Sequence, residues 1–223
     1  MNAYRQQILK ILKKQLPLIK LSSGSLFLDF GAGDGWFASQ MSESNPGAYI
    51  RAIDVQARDT KHYDVEIVAP DEIFKFSDHS IDLVYSVDVL HHCDDPMQVL
   101  KELSRISSNY LLIKDHVAFS ATDNLILGIL DELGNRRFGI PSNYHYQQNW
   151  QWESMLLAEG WQTVSKVWPA PCHTGILGKL TNRLQYVALY RSPFAVDKSS
   201  LQHEVDAQHE SGNGNMSNHV VDP

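Results

Sequence analysis

Leu26-Phe27-Leu28-Asp29-Phe30-Gly31-Ala32-Gly33-Asp34-Gly35-Trp36-Phe37-Ala38-Ser39-Gln40-Met41 is the stretch that decides the fold. An apolar run over 26–30 reads as a buried strand, three glycines follow on alternate residues, and a helix starts at Trp36. Glycine takes positive φ cheaply and lets backbone N–H groups approach a ligand, and a helix N-terminus favours negative charge. Strand, tight turn and helix together form a cofactor cradle. A dinucleotide fingerprint places glycines first, third and sixth. Counted from Gly31, the sixth residue is Trp36, whose indole stands where close helix–strand packing wants Gly or Ala. No Lys-Ser/Thr pair follows the glycines, so a phosphate-binding P-loop is excluded as well.

Outward from this loop, Asn45-Pro46-Gly47 makes a turn and Ala48–Asp54 reads as a second strand ending in an acid. Asp54 lies about twenty residues beyond the glycines, where a doubly wound sheet sets a carboxylate at ribose hydroxyls. A carboxylate suits a vicinal diol because it accepts two hydrogen bonds. Val65–Val68 is a short third strand. Ile81–Ser86 is a fourth, and it leads into Val87-Asp88-Val89-Leu90-His91-His92-Cys93-Asp94-Asp95-Pro96. That loop leaves the carboxyl end of a central strand, the expected edge for a site in an open α/β sheet. Five adjacent candidate ligands, His91 to Asp95, do not converge readily on one ion, and no HxxxH or CxxC completes a shell, so no metal is expected. Pro96 opens a helix over Met97–Ile106, and Tyr110–His116 reads as strand five, with Asp115 and His116 at its end on the cleft side.

The segment Leu28-Asp29-Phe30-Gly31-Ala32-Gly33-Asp34-Gly35 resembles motif I of class I S-adenosylmethionine (SAM) methyltransferases. Phe74–Ser86, with an acid-x-Ser-apolar-Asp-apolar-Val run, and Leu90-His91-His92 followed by Asp95-Pro96 resemble the same family. Lys75 stands where relatives keep a proline, and Ser107-Ser108-Asn109 where they keep Pro-Gly-Gly. The resemblance spans residues 24–190 and implies a mostly parallel seven-stranded α/β sheet, doubly wound, closed by an antiparallel pair at Trp161–Val167 and Leu184–Tyr190. It implies SAM as cofactor, bound by Asp29, Gly31, Gly33, Gly35, Asp54, Ser86 and His91. Asp71, with Glu72 next in line, would meet the adenine amino group. His91 would shape the cofactor pocket, since the family keeps Leu-His-His where no base is needed.

Between strand five and the closing pair lies an insert, 117–160, with helices expected over Asp123–Leu133 and Trp150–Glu159, the second stopped by Gly160. Its middle is rich in aromatic, amide and imidazole groups, which suit an acceptor pocket. Asn143 and Tyr144 are the substrate-binding candidates there, and the Gly-x-Pro at 139–141 belongs to the same pattern. Methyl transfer to carbon or oxygen calls for a general base, and histidine suits neutral pH. His116 and His145 are the candidates, with His91 behind them. No Asn-Pro-Pro-Tyr follows strand four, which disfavours amino methylation of adenine or glutamine and leaves a small-molecule acceptor.

The wider composition fits. A 223-residue chain with 43% hydrophobic residues suits one α/β domain with a sizeable core. The net charge of −7 is dispersed, so no DNA partner is expected. Two distant cysteines fit a reducing cytoplasm without disulfides, and no apolar run is long enough to span a membrane. Residues 1–23 form an amphipathic helix with Ile8, Ile11, Leu12 and Leu16 on one side and lysines opposite, ended near Pro17. The SAM-binding unit then covers 24–192, and 193–223, polar and without apolar period, form a disordered tail. Three rivals stand beside a small-molecule methyltransferase: an NAD-dependent oxidoreductase, a SAM-binding partner without catalysis, and a methyltransferase of RNA or protein.

Overall fold

The computed structural model describes residues 2–135 and 143–195. The glycine motif folds as its residues dictate: β1 (Leu26–Phe30), the loop 31–35 and α2 (Trp36–Ser44). Then come β2 (Tyr49–Asp54), β3 (Val65–Ile67) and β4 (Ile81–Val87), each parallel to its neighbour. A 3-10 turn over Leu90–His92 precedes α3 (Pro96–Ile106). Asp95 caps that helix by accepting a hydrogen bond from the Gln98 N–H at 3.0 Å, and Pro96 fills a first-turn position that needs no donor. β5 (Ser107–Ala118) is central and buried on both faces, which its continuous apolar run foretells.

The strands lie in the order β3-β2-β1-β4-β5-β8-β7, with β8 (Gln185–Arg191) antiparallel to both β5 and β7 (Gln162–Val167). The expected doubly wound sheet with its closing antiparallel pair is therefore present. Two apolar layers sandwich it. Leu28, Val84, Leu111 and Ile113 meet α3 and α5 (Gln151–Ala158) on one face. On the other, Phe27, Leu83, Tyr85 and Leu112 meet Ile8, Ile11 and Leu12 of α1 (Ala3–Gln15). Each fully buried Leu or Ile contributes about 1.5–3 kcal/mol, so α1 is part of the core. Its lysines, Lys10, Lys13 and Lys14, stay exposed.

Three features differ from expectation. β5 runs two residues past His116, so Asp115 and His116 sit inside the strand, almost fully buried, rather than at an open end. In the insert, α4 covers Ala121–Asn135, and a two-residue β6 (Gln147–Gln148) pairs with Val117–Ala118 of β5. Such a short pairing leaves no periodic signal. Finally, β7 and β8 are joined by a cap containing α6 (Gly175–Thr181). Two glycines and nearby prolines hide this helix, yet Gly178 is required because a Cβ there would strike the His173 carbonyl oxygen. The Gly-x-Pro at 139–141 and the tail from 196 onward lie outside the described residues.

Candidate functional site

The glycine loop is held from β2. The N–H groups of Gly31 and Ala32 both donate to the Ile53 carbonyl, at 3.0 and 2.9 Å. Asp54, at the end of β2, accepts from the Gly33 N–H at 2.7 Å and from the Gln56 N–H at 2.8 Å. All three glycines take positive φ, but their surroundings differ. A Cβ on Gly31 would collide with Val89, and one on Gly35 would press on Tyr63 at 2.8 Å. At Gly33 a Cβ would meet nothing within 4 Å. Gly33 is thus the residue whose missing side chain leaves open space above the loop.

Beneath the loop, Asp29 is buried, and burial pushes its carboxyl up to about 8, with the Asp54 charge adding to the rise. Its Oδ2 and the buried Ser86 Oγ have no hydrogen-bond partner among the described residues. Asp71 is exposed at the start of the 3-10 turn 72–75, while Glu72 is committed to Lys75 at 2.5 Å. The expected cofactor residues therefore gather along the carboxyl ends of β1, β2 and β4 and the turn after β3.

α1 closes over this edge. Arg5 pairs with Asp34 of the glycine loop at 2.6 Å. Tyr4 donates to Asp88 at 3.0 Å and stacks on His173 of the β7–β8 cap, ring centroids 4.7 Å apart. Under Tyr4 lies Lys114 of β5, fully buried, whose three donors reach Asp88, the Tyr4 hydroxyl at 2.5 Å and Gln185 at 2.7 Å. Burial pushes the Asp88 carboxyl up, but Lys114 and His116 outweigh it and hold the group below its usual range. Lys114, Asp88 and Tyr4 went unrecognised in the sequence, because a lysine inside an apolar strand carries no motif. Its central position in a buried run was the one available signal.

His116 stands beside this cluster, its Nδ1 3.3 Å from Asp115 and 3.7 Å from Asp88. Burial, then the Lys114 charge, lowers its pKa, so the ring is neutral at physiological pH and able to accept a proton. Asp115 accepts from the Leu90 N–H at 3.1 Å, the His116 N–H at 2.7 Å and His91 Nδ1 at 2.6 Å. Burial opposes its charge, yet the two imidazoles keep it ionised well below the usual range. His91 is buried between Asp115 and Asp131 of α4, and those carboxylates raise its pKa against the effect of burial. Tyr146 donates to the same Asp131 at 2.6 Å.

The other insert candidates sit farther out. His145 is exposed, and its Nδ1 lies 2.9 Å from the Cys93 carbonyl. Asn143 spends its amide on the His92 carbonyl at 2.8 Å and on Asp94 at 2.9 Å, so it clips the insert to the His91–His92 loop. Tyr144 donates to Glu132 at 2.5 Å and lines two cavities. One, of about 310 Å³, runs along the start of α3 and α5; the other, of about 450 Å³, runs along Leu125, Ile129 and Leu133 of α4. The structure brings His116 and His91 together and leaves His145 on the outer rim. Cys93 and Cys172 remain thiols, pushed by burial to about 12 and about 11.

An open α/β sheet in this order, closed by an antiparallel pair and carrying an acid-Gly-x-Gly-x-Gly loop, defines a Rossmann-like methyltransferase fold. Residues 28–109 match the methyltransferase-domain family. A malonyl-(acyl-carrier protein) O-methyltransferase of Marinomonas sp. is 26% identical over 156 residues, 66% of this chain and 55% of that protein. The chain thus spans about half the length of this curated relative. Among solved structures, a SAM-dependent methyltransferase from Archaeoglobus fulgidus has the same fold, with TM-score 0.59, 15% identity, and 84% and 94% of the two chains covered. The (4+2)-cyclase SpnF also has it, with TM-score 0.56, 16% identity, and 82% and 80% covered. In its segment 28–109 and in its fold, this chain is thus similar to SAM-dependent methyltransferases. No helix among the described residues is long and apolar enough to cross a membrane.

Proposed function

We propose that this protein moves a methyl group from SAM to an oxygen, nitrogen or carbon nucleophile of a small-molecule acceptor. The observation that carries the reading is the cradle at Gly33: a loop fixed by Asp54, with open space where every other residue would put a side chain. SAM, when bound, supplies a sulfonium methyl open to in-line attack. The loop amides and Asp54 hold the cofactor's amino-acid and ribose ends, with spare carboxylate lone pairs for a vicinal diol. Asp71 stands at the adenine end, Asp29 and Ser86 back the loop from β1 and β4, and His91 shapes the cofactor pocket.

His116 takes the acceptor's proton, kept neutral by burial and by Lys114, and turned by Asp115. His145 is the rival base and Tyr144 and Asn143 the acceptor-side groups, all carried by the insert. Alignment of nucleophile and methyl can supply about 7–11 kcal/mol of the barrier. The name of the Marinomonas relative makes a carboxylate on an acyl carrier an acceptor to try. Because such a group is already ionised, it would not call on His116, which serves hydroxyl, amine or carbon acceptors.

Thermal unfolding of the chain with S-adenosylhomocysteine, SAM, NADH and ATP in parallel tests the reading. A ligand at one hundred times its dissociation constant stabilises by about 2.7 kcal/mol. The two adenosylated sulfur compounds should raise the midpoint and NADH should not. A response to NADH, or to none of the four, removes the proposal.

A further inference from the structure

His91 is 1% exposed, and its two ring nitrogens face different worlds. Nδ1 is hydrogen-bonded to Asp115 at 2.6 Å. Nε2 has no hydrogen-bond partner among the described residues, and stands 3.4 Å from Asp131 Oδ2. A ring nitrogen of His92 completes a group whose three ligand atoms lie within 4.8 Å of one another. We propose that His91, His92 and Asp131 form a binding site for a zinc-class divalent ion at the junction of the β4 loop and α4.

Three features of the geometry carry this. Zinc holds imidazole nitrogen at about 2.0–2.1 Å and carboxylate oxygen at about 2.0–2.2 Å, which sets tetrahedral ligands about 3.3–3.5 Å apart. The 3.4 Å gap between His91 Nε2 and Asp131 Oδ2 matches that edge while lying at the far limit for a hydrogen bond. Second, a metal-bound histidine characteristically donates its other N–H to a carboxylate, and Asp115 serves His91 in that way, with Tyr146 supporting Asp131. Third, the donor set of two imidazoles and one carboxylate suits zinc and leaves a fourth position open.

The neighbouring trio of His91, Asp115 and His116 is also compact. There Asp115 already accepts from two backbone N–H groups and from His91, so its oxygens are taken. The sequence concealed the site because the third ligand is none of the loop's own candidates, Cys93 to Asp95. Asp131 arrives from α4, forty residues away in the chain. An ion here would pin the insert to the sheet and offer its open position to an oxygen of the acceptor. The site stands whether or not the methyl-transfer proposal does.

The test is binding of the metal alone by the full chain. Metal-free protein titrated with Co²⁺ should develop the intense visible absorption of a tetrahedral site at one ion per chain, and Zn²⁺ should displace it. Asp131→Asn, which keeps an acceptor for Tyr146, should abolish that absorption. Asp115→Asn should weaken binding about 10–100-fold, as loss of an outer carboxylate does. Circular dichroism checks that both variants fold. No cobalt spectrum and no zinc retained by the wild-type chain would leave an ordinary His91–Asp131 ion pair and overturn the proposal. A spectrum indifferent to both Asp131→Asn and His92→Gln would place the ion elsewhere and overturn it equally.

Discussion

The proposed cofactor edge and the proposed acceptor side of this molecule are built on different principles. At the cofactor edge, the working parts are backbone amides of residues 31–35 and one carboxylate, Asp54, about twenty residues on. The loop and its anchor lie on one strand–turn–helix unit and its neighbour. On the acceptor side, side chains from α1, the β4 loop, β5, α4 and β8 meet in a buried polar cluster. Tyr4 and Gln185, 181 residues apart, share the same lysine. The first region works through its backbone and Asp54. The second depends on charges that cannot be removed singly.

Four comparisons would break or sharpen that contrast. The largest effect falls on the proton acceptor. His116→Gln should lower kcat by about 10²–10⁴-fold, the usual contribution of a positioned base. His145→Gln should change it little, and steady-state rates on a working acceptor decide between them. Equal losses would move the reacting centre out to the insert. Next, Lys114→Met leaves Asp88, 22% exposed, without its cation. Breaking a fully buried pair costs about 3–5 kcal/mol, so the loss here should stay below that range in urea denaturation, and it should shrink in the Lys114→Met/Asp88→Asn double variant.

Gly33→Val addresses the other region. Its side chain would enter the empty space above the loop at φ +60°, with a folding penalty of about 1–2 kcal/mol. Affinity for S-adenosylhomocysteine by calorimetry should fall at least about 100-fold, equivalent to about 2.7 kcal/mol. Gly31→Ala should instead lose fold stability, since its Cβ strikes Val89. Unchanged affinity in folded Gly33→Val would remove the cradle.

The remaining effect is electrostatic. Asp29 titrates near 8 when folded and about 3.9 when unfolded. Between those values the folded chain holds a proton that the unfolded chain releases. Stability therefore falls as pH rises through the window, by up to about 1.4 kcal/mol per unit, and levels off above it. Asp29→Asn should be the more stable form near pH 8 and should flatten the profile, measured by urea unfolding at pH 5, 6.5 and 8. A parallel profile in the variant would mean that Asp29 ionises normally.

The alternation and spacing of residues 26–54 carried the fold and the cofactor loop, because a strand–turn–helix unit is local: glycine positions, an acid at the strand end and apolar periods are all printed along the chain. Strand pairing, including the antiparallel β8, was implied by the resemblance to methyltransferases and not by the periods themselves. What lay hidden was every feature that needs two distant segments. Lys114 reads as an odd residue in an apolar strand until Asp88, Tyr4 and Gln185 surround it. Asn143 reads as one more polar residue of the insert until its amide is seen on the His92 carbonyl, clipping the insert to the β4 loop. His91 reads as a motif letter until Asp115 and Asp131 arrive on either side. A buried charge is stable only with partners, and partners are chosen by packing across the sheet, so only the tertiary structure could decide which of the histidines and acids work together.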